Sequence, residues 1–187
     1  MKTLDKYFLA HVLAVALLFT TSVVLAADSA PITVTISEMH LCCKGCTSAV
    51  EKACVKVPGV KCTTSQDELT TVLVADTTKN MQQALDEIAA AGFCGSVDNK
   101  EVEFKPIKFT DAKVKGLEVA HVHNCCIACT DAIKGAVEAV PGVTGNDVKN
   151  KKVSFIVEGD FSPDEVVKAL QAAGFYPTIK GKDTKQP

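Results

Sequence analysis

Residues 39–46 read Met-His-Leu-Cys-Cys-Lys-Gly-Cys, and residues 122–129 read Val-His-Asn-Cys-Cys-Ile-Ala-Cys. His40, Cys42, Cys43 and Cys46 thus recur as His123, Cys125, Cys126 and Cys129, each shifted by 83 positions. The register continues: Thr47, Ala49, Val57, Pro58, Gly59 and Val60 recur as Thr130, Ala132, Val140, Pro141, Gly142 and Val143. A common offset over such a span marks two copies of one structural unit. What the copies share most faithfully is a cluster of thiols, which points to thiol chemistry or the binding of a soft metal.

The residues around each cluster define the unit. In the first copy Ile32-Thr-Val-Thr-Ile36 alternates apolar and polar side chains, the mark of a half-buried strand. Ala49, Val50, Ala53, Cys54 and Val57 fall at helical spacing, and Pro58-Gly59 stops that helix. A weak strand starts at Val60, and another runs through Leu69, Val72 and Val74. A second helix carries Met81, Ala84, Leu85, Ile88 and Ala89 to Gly92, and a last strand takes Val97 and then Val102 to Phe104. In the second copy the spacing predicts a first strand over 117–122, a first helix over 130–140 and a third strand over 152–157. Ser162-Pro163-Asp164-Glu165 opens its last helix with an N-cap, a proline and acidic residues, and Gly174-Phe175 follows. The order is β-α-β-β-α-β twice: an α+β protein of two ferredoxin-like sandwiches in tandem. The expected domains are 30–104 and 115–180, joined by a linker over 105–114 and followed by a flexible tail over 181–187.

Lys2 and Lys6, the apolar run Phe8 to Leu25 and the small residues of Val24-Leu25-Ala26 read as a signal peptide over 1–26 with cleavage after Ala26, in preference to an uncleaved anchor, because His11, Thr20, Thr21 and Ser22 interrupt the run. The reading is therefore a periplasmic or secreted protein of about 161 residues, with no stable membrane span after cleavage. Each domain, at roughly 65–70 residues, is small enough to need its neighbour, a metal or a disulfide. The whole chain carries a net charge of −2 and no arginine. Lacking Arg forks, a basic stripe and paired aromatics, it does not read as a nucleic-acid binder. All nine cysteines lie beyond the leader, an odd number that cannot pair completely within one chain. An exported chain meets oxidising conditions, so each cysteine is weighed between bridge, free thiol and ligand.

Cys43-Lys-Gly-Cys46 and Cys126-Ile-Ala-Cys129 are CxxC pairs at strand-to-helix junctions. That spacing places two sulfurs over a helix N-terminus, where the dipole and free N–H groups favour thiolates. Such a pair suits Cu(I) and also Zn(II) or Hg(II), and it suits thiol–disulfide exchange equally well. No nucleophile–base pair, phosphate loop or open catalytic metal triad is found, so the chain does not read as an enzyme.

A CxxC in the first loop of this unit, Pro-Gly-Val after the first helix and Gly-Phe before the last strand resemble heavy-metal-associated domains. That family includes copper chaperones, the amino-terminal modules of copper-transporting ATPases and a periplasmic mercury-binding protein, and the resemblance covers the chain twice. It implies that Cys43 and Cys46, and Cys126 and Cys129, bind the metal, with Cu(I) first and Zn(II) or Hg(II) as alternatives. It also implies hand-over by thiolate exchange with a membrane metal transporter or another metal-binding domain.

The family's Gly-Met places are held here by His40-Leu41-Cys42 and His123-Asn124-Cys125. Leu41 suits the methionine's packing role and Asn124 does not. Cys42 and Cys125 can add a third thiolate or form a disulfide, and His40 and His123 are weaker candidates as ligands. Cys94, where the second copy has Tyr176, is a further weak candidate: a fourth sulfur or a disulfide partner of Cys42. Cys54 reads as a buried small hydrophobe in the place of Val137, Cys62 as a structural thiol or the partner of a nearby cysteine, and His121 as an exposed strand residue. The function expected is capture or transfer of a soft metal. The alternatives are a thiol–disulfide oxidoreductase, which the element order does not favour, and a scaffold locked by bridges such as Cys42–Cys94.

Overall fold

The computed structural model describes residues 30–109 and 112–180. The predicted signal peptide, the tail and two linker positions (110 and 111) lie outside the described residues.

The alternating stretch becomes β1 (Ile32–Ser37), with Val34 and Ile36 buried and Thr33 exposed. It is followed by α1 (Lys44–Cys54), β2 (Val60–Ser65), β3 (Thr70–Ala75), α2 (Thr78–Ala90) and β4 (Ser96–Val97). The second repeat supplies β5 (Val114–Ala120), α3 (Ile127–Glu138), β6 (Val143–Asn146), β7 (Phe155–Phe161), α4 (Pro163–Ala172) and β8 (Thr178–Lys180). The antiparallel sheets run β2-β3-β1-β4 and β6-β7-β5-β8, two ferredoxin-like sandwiches. Periodicity accounts for the packing. Val50, Ala53 and Cys54 of α1 and Met81, Ala84, Leu85 and Ile88 of α2 join Val34, Ile36, Leu73 and Ala75 of the sheet. The buried residues of both repeats form one continuous apolar cluster, so neither sandwich ends at its own surface.

Several boundaries differ from the sequence reading. No strand forms over 102–104. The side chain of Asn99 accepts from the amide of Glu101, and Gln82 of α2 brackets Glu103, accepting from its amide and donating to its carbonyl. Helix side chains take the backbone groups that a strand would offer its neighbour. In the second repeat the third strand starts at Phe155 and continues to Phe161, because the Lys149 and Lys152 carbonyls are taken by Asn124. The first strand is Val114–Ala120 rather than 117–122, and the first helix starts at Ile127 rather than Thr130. Ser162 is the N-cap of α4 by position, but its side chain makes no capping bond. His121 is exposed but lies just past β5 at φ 55°, matched by Glu38 at φ 59° past β1. Both residues turn the chain out of the sheet and into the cysteine loop.

The repeats meet through their Gly-Phe corners. Phe93 and Phe175 pair as an antiparallel bridge, flanked by the Cys94 amide donating to the Gly174 carbonyl (3.2 Å) and the Tyr176 amide donating to the Gly92 carbonyl (3.1 Å). Gly92 has φ +88° and Gly174 φ +83°, a conformation that side chains disfavour. A Cβ on Gly92 would fall on the backbone of His121 and His123, and one on Gly174 on the backbone of Glu38 and His40. Each glycine thus lets one repeat press against the cysteine loop of the other. Gly92→Ala and Gly174→Ala are each expected to lower stability by more than about 1 kcal/mol and to part the repeats. Urea denaturation and the radius of gyration from small-angle scattering check this; unchanged values in both would sink it.

Candidate metal centre

Each cysteine loop leaves the sheet at a left-handed residue and delivers its second cysteine to a helix N-cap. Cys43 caps α1 at φ −160° and Cys126 caps α3 at φ −150°, both extended. Cys46 and Cys129 follow in the first helical turns and are fully buried. The loops are packed differently. Met39 and Leu41 are buried apolar residues in the first, whereas the second buries Val122 and Asn124. Asn124 is no packing defect. Its Nδ2 donates to the Lys149 and Lys152 carbonyls at 2.9 Å each, and its Oδ1 accepts from Thr130 Oγ1 at 2.8 Å. Every hydrogen-bonding edge of this buried amide is used, which offsets its desolvation.

The corner contact brings the two loops face to face and merges their sulfurs. Within the repeats, Cys42–Cys46 (3.7 Å) is mirrored by Cys125–Cys129 (3.8 Å), and Cys43–Cys46 (3.8 Å) by Cys126–Cys129 (3.8 Å). Between them run Cys42–Cys126, Cys42–Cys129 and Cys43–Cys125 (3.5 Å each), Cys46–Cys125 (3.8 Å) and Cys46–Cys129 (3.9 Å). Exchanging the repeats maps this set of contacts onto itself, a local two-fold. His40 crosses the axis to stack on Phe175 (centroids 4.5 Å apart), and His123 stacks on Phe93 (4.3 Å). His40 lies within ligand reach of Cys42 and Cys129, and His123 within reach of Cys46, Cys125 and Cys129.

Crowding and helix ends set the acidities. The amide of Cys46 draws the half-buried Cys43 thiol down to about 7, with the Cys125 thiol adding to the effect. Burial pushes Cys125 up to about 12 and raises Cys42 as well. Cys46 and Cys129 act as a pair: Cys129 is lowered first by its hydrogen bond with Cys46, and Cys46 is raised by the same contact. Burial lowers His123, which favours the neutral ring. The donor set fits a soft ion: six thiols converge, and the buried Nε2 of each half-buried histidine finds no hydrogen-bond partner.

The sequence-derived candidates are thus brought together, with one exception. Cys42, Cys43, Cys46, Cys125, Cys126 and Cys129 form the cluster, with His40 and His123 beside it. Cys94 belongs to none of these groups. The corner bond to Gly174 turns it toward α4, where its buried Sγ donates to the Gln171 carbonyl at 3.6 Å, and burial pushes the thiol up to about 12. A Cys42–Cys94 bridge has no basis in this geometry. The sequence reading missed Phe93, Phe175, Gly92 and Gly174 as the elements that assemble the site. The signal was the recurrence of Gly-Phe in both copies, read there as a helix end and a family-like motif but not as a contact between the repeats.

No protein-family model and no curated protein matches the chain. Among solved structures it is similar to the first domain of the human copper chaperone for SOD1, CCS, in its copper(I)-loaded form. The identity is 28%, over 36% of this chain and 93% of that one, with a TM-score of 0.33. It is similar also to the N-terminal soluble domains of Bacillus subtilis CopA, at 16% identity over 84% of this chain and 98% of that one (TM-score 0.32). A second structure, of the water-soluble region of the same P-type ATPase, gives 16% identity over 81% and 93% (TM-score 0.31).

The acidity at the helix start is directly measurable. In the reduced, metal-free protein, alkylation of Cys43 should reach half its limiting rate near pH 7, while Cys125 stays protonated to about pH 12. Below pH 7 Cys43 is a thiol and unreactive. Peptide mapping of iodoacetamide labelling across pH gives the profile, and a Cys43 midpoint at the ordinary value of 9.0 would overturn this account.

Proposed function

We propose that this protein is an exported carrier of a soft metal ion, Cu(I) first, which it captures or hands over through thiolates supplied by both repeats. The observation that carries this reading is the convergence of six cysteines, three from each repeat, in one network of contacts no longer than 3.9 Å. Soft sulfur donors select Cu(I) over harder ions, and Zn(II) and Hg(II) are the other ions the set suits. The half-buried Cys43 and Cys126 lie outermost in this network, each touching only two other sulfurs, whereas the buried Cys46 and Cys129 each touch four. An incoming thiolate would therefore meet Cys43 or Cys126 first and displace it, as exchange of a metal between partners requires. The partner fitting that route is a membrane metal transporter or another metal-binding domain that presents thiolates of its own. Export rests on residues 1–26; among the described residues no helix is long and apolar enough to cross a membrane.

One observation favours a second reading. A thiol drawn down to about 7 at a helix start, beside a buried partner that is raised, is the pattern of a thiol–disulfide exchange catalyst. Cys43, however, contacts Cys125 of the other repeat more closely (3.5 Å) than Cys46 of its own (3.8 Å), so its environment belongs to the cluster.

The test is anaerobic titration of the reduced, processed protein with Cu(I) against a competing chelator, read by native mass spectrometry. Tight uptake is expected, and Cys43→Ser/Cys46→Ser or Cys126→Ser/Cys129→Ser should each abolish most of it rather than half. No uptake, together with turnover on a mixed disulfide, would replace metal carriage with exchange catalysis.

A further inference from the structure

The sulfur contacts close four triangles: Cys43–Cys46–Cys125, Cys46–Cys125–Cys129, Cys42–Cys46–Cys129 and Cys42–Cys126–Cys129. Each shares an edge with the next, and the local two-fold exchanges the outer two and the inner two. Every triangle draws on both repeats. With metal–sulfur bonds of about 2.3 Å, trigonal or tetrahedral ligation spans sulfurs about 3.8–4.0 Å apart, close to the observed 3.5–3.9 Å edges. Three soft thiolates around one Cu(I) is an ordinary coordination number for that ion. We infer that the two repeats build one polynuclear Cu(I)–thiolate centre with up to four three-coordinate positions, in place of two separate CxxC sites. This rests on the soft-metal reading above and goes beyond it, since it makes the chain a store for several ions as well as a carrier.

Charge supports a multiple load. Six thiolates around a single Cu(I) would leave five uncompensated negative charges in a half-buried space, whereas four ions leave two. Like charges packed this closely resist ionisation together. Each thiol that takes up Cu(I) releases its proton, so successive ions remove the repulsion that discourages partial loading. His40 flanks the Cys42–Cys129 edge and His123 the Cys46–Cys125 edge, the two edges that join the outer triangles to the inner ones.

Stoichiometry and metal–metal distance decide it. Native mass spectrometry of the reduced, processed protein under Cu(I) titration should show a monomer passing to more than two ions, up to four, with few intermediates. X-ray absorption should show a Cu–Cu scattering path. Cys42→Ser with Cys125→Ser, which keeps both CxxC pairs, should cut the load to two or fewer and remove that path. Two ions bound independently, with no Cu–Cu path, overturn the polynuclear centre and leave the metal-binding reading intact. No uptake at all overturns both.

A separate observation concerns Cys54 and Cys62, whose sulfurs lie 2.7 Å apart between the end of α1 and β2. That is closer than non-bonded sulfurs pack, and the second repeat has Val137 and Gly145 at these positions. We propose that this pair becomes a disulfide clip of the first repeat through exchange with a disulfide donor met on export. The donor's S–S bond breaks, the Cys54–Cys62 bond forms, and the two thiol protons and two electrons leave with the donor as two thiols. Equilibration in an oxidised glutathione buffer, with Cu(I) protecting the cluster, should give a linked peptide lighter by two hydrogens. The bridged form should also unfold at a higher urea midpoint than the reduced form, a difference lost in Cys54→Val. Recovery of both residues as free thiols after denaturation under those conditions would overturn the clip.

Discussion

The site depends on one reciprocal contact, the bridge between Phe93 and Phe175 with its two flanking amide–carbonyl bonds. Burying a phenylalanine contributes about 1.5–3 kcal/mol, and both rings are fully buried here. Backbone bonds across the contact fix its register, and glycine on either side removes the Cβ that would hold the loops apart. Each ring also stacks on the histidine of the opposite cysteine loop. The corner therefore joins the repeats and sets the distance between their sulfurs in one step. A pair of small sandwiches that would be marginal alone gains a continuous core in the same way.

Once the loops face each other, the chemistry of each thiol is no longer a property of its own CxxC. A helix start alone would lower Cys43, but the Cys125 thiol opposite also lowers it, and the contact between Cys46 and Cys129 raises the one and lowers the other. The cysteines that depart from the family pattern, Cys42 and Cys125, turn out to be the cross-links of the network. Each touches two sulfurs of the other repeat, at 3.5–3.8 Å. Without them a single cross-axis contact, Cys46–Cys129 at 3.9 Å, would remain.

The fold was legible because it is written in periodicity. Alternation gave β1, helical spacing gave α1 and α2, and the constant offset gave the second copy. Strand ends failed where side chains intercept the backbone, as Gln82 does at Glu103 and Asn124 at Lys149 and Lys152. The ligand candidates were legible because CxxC spacing and its repetition are local. Their assembly was not. Whether loops 83 residues apart face each other is settled by Gly92, Gly174 and their phenylalanines, and nothing in a Gly-Phe pair announces its partner. Cys94 was misplaced for the same reason: beside the metal loop in a lone domain, it is turned to α4 by the second repeat.

Apart from Lys44-Gly45 and Ile127-Ala128 inside the two CxxC pairs, the main differences between the repeats stand clear of the sulfur network. Leu41 and Asn124 both anchor the base of a cysteine loop, one by apolar burial and the other by three hydrogen bonds. Cys94 and Tyr176 occupy equivalent corners and make equivalent amide bonds, while their side chains go to Gln171 and to the Lys105 carbonyl. Cys54 and Cys62 stand where the second repeat has Val137 and Gly145, inside one sandwich. The residues that obey the two-fold are the two glycines, the two phenylalanines, the two histidines and the six cysteines. A centre lined from both sides by matching donors requires that symmetry, whereas the interior of each sandwich does not. Two independent sites would place no such demand on the corner that joins them.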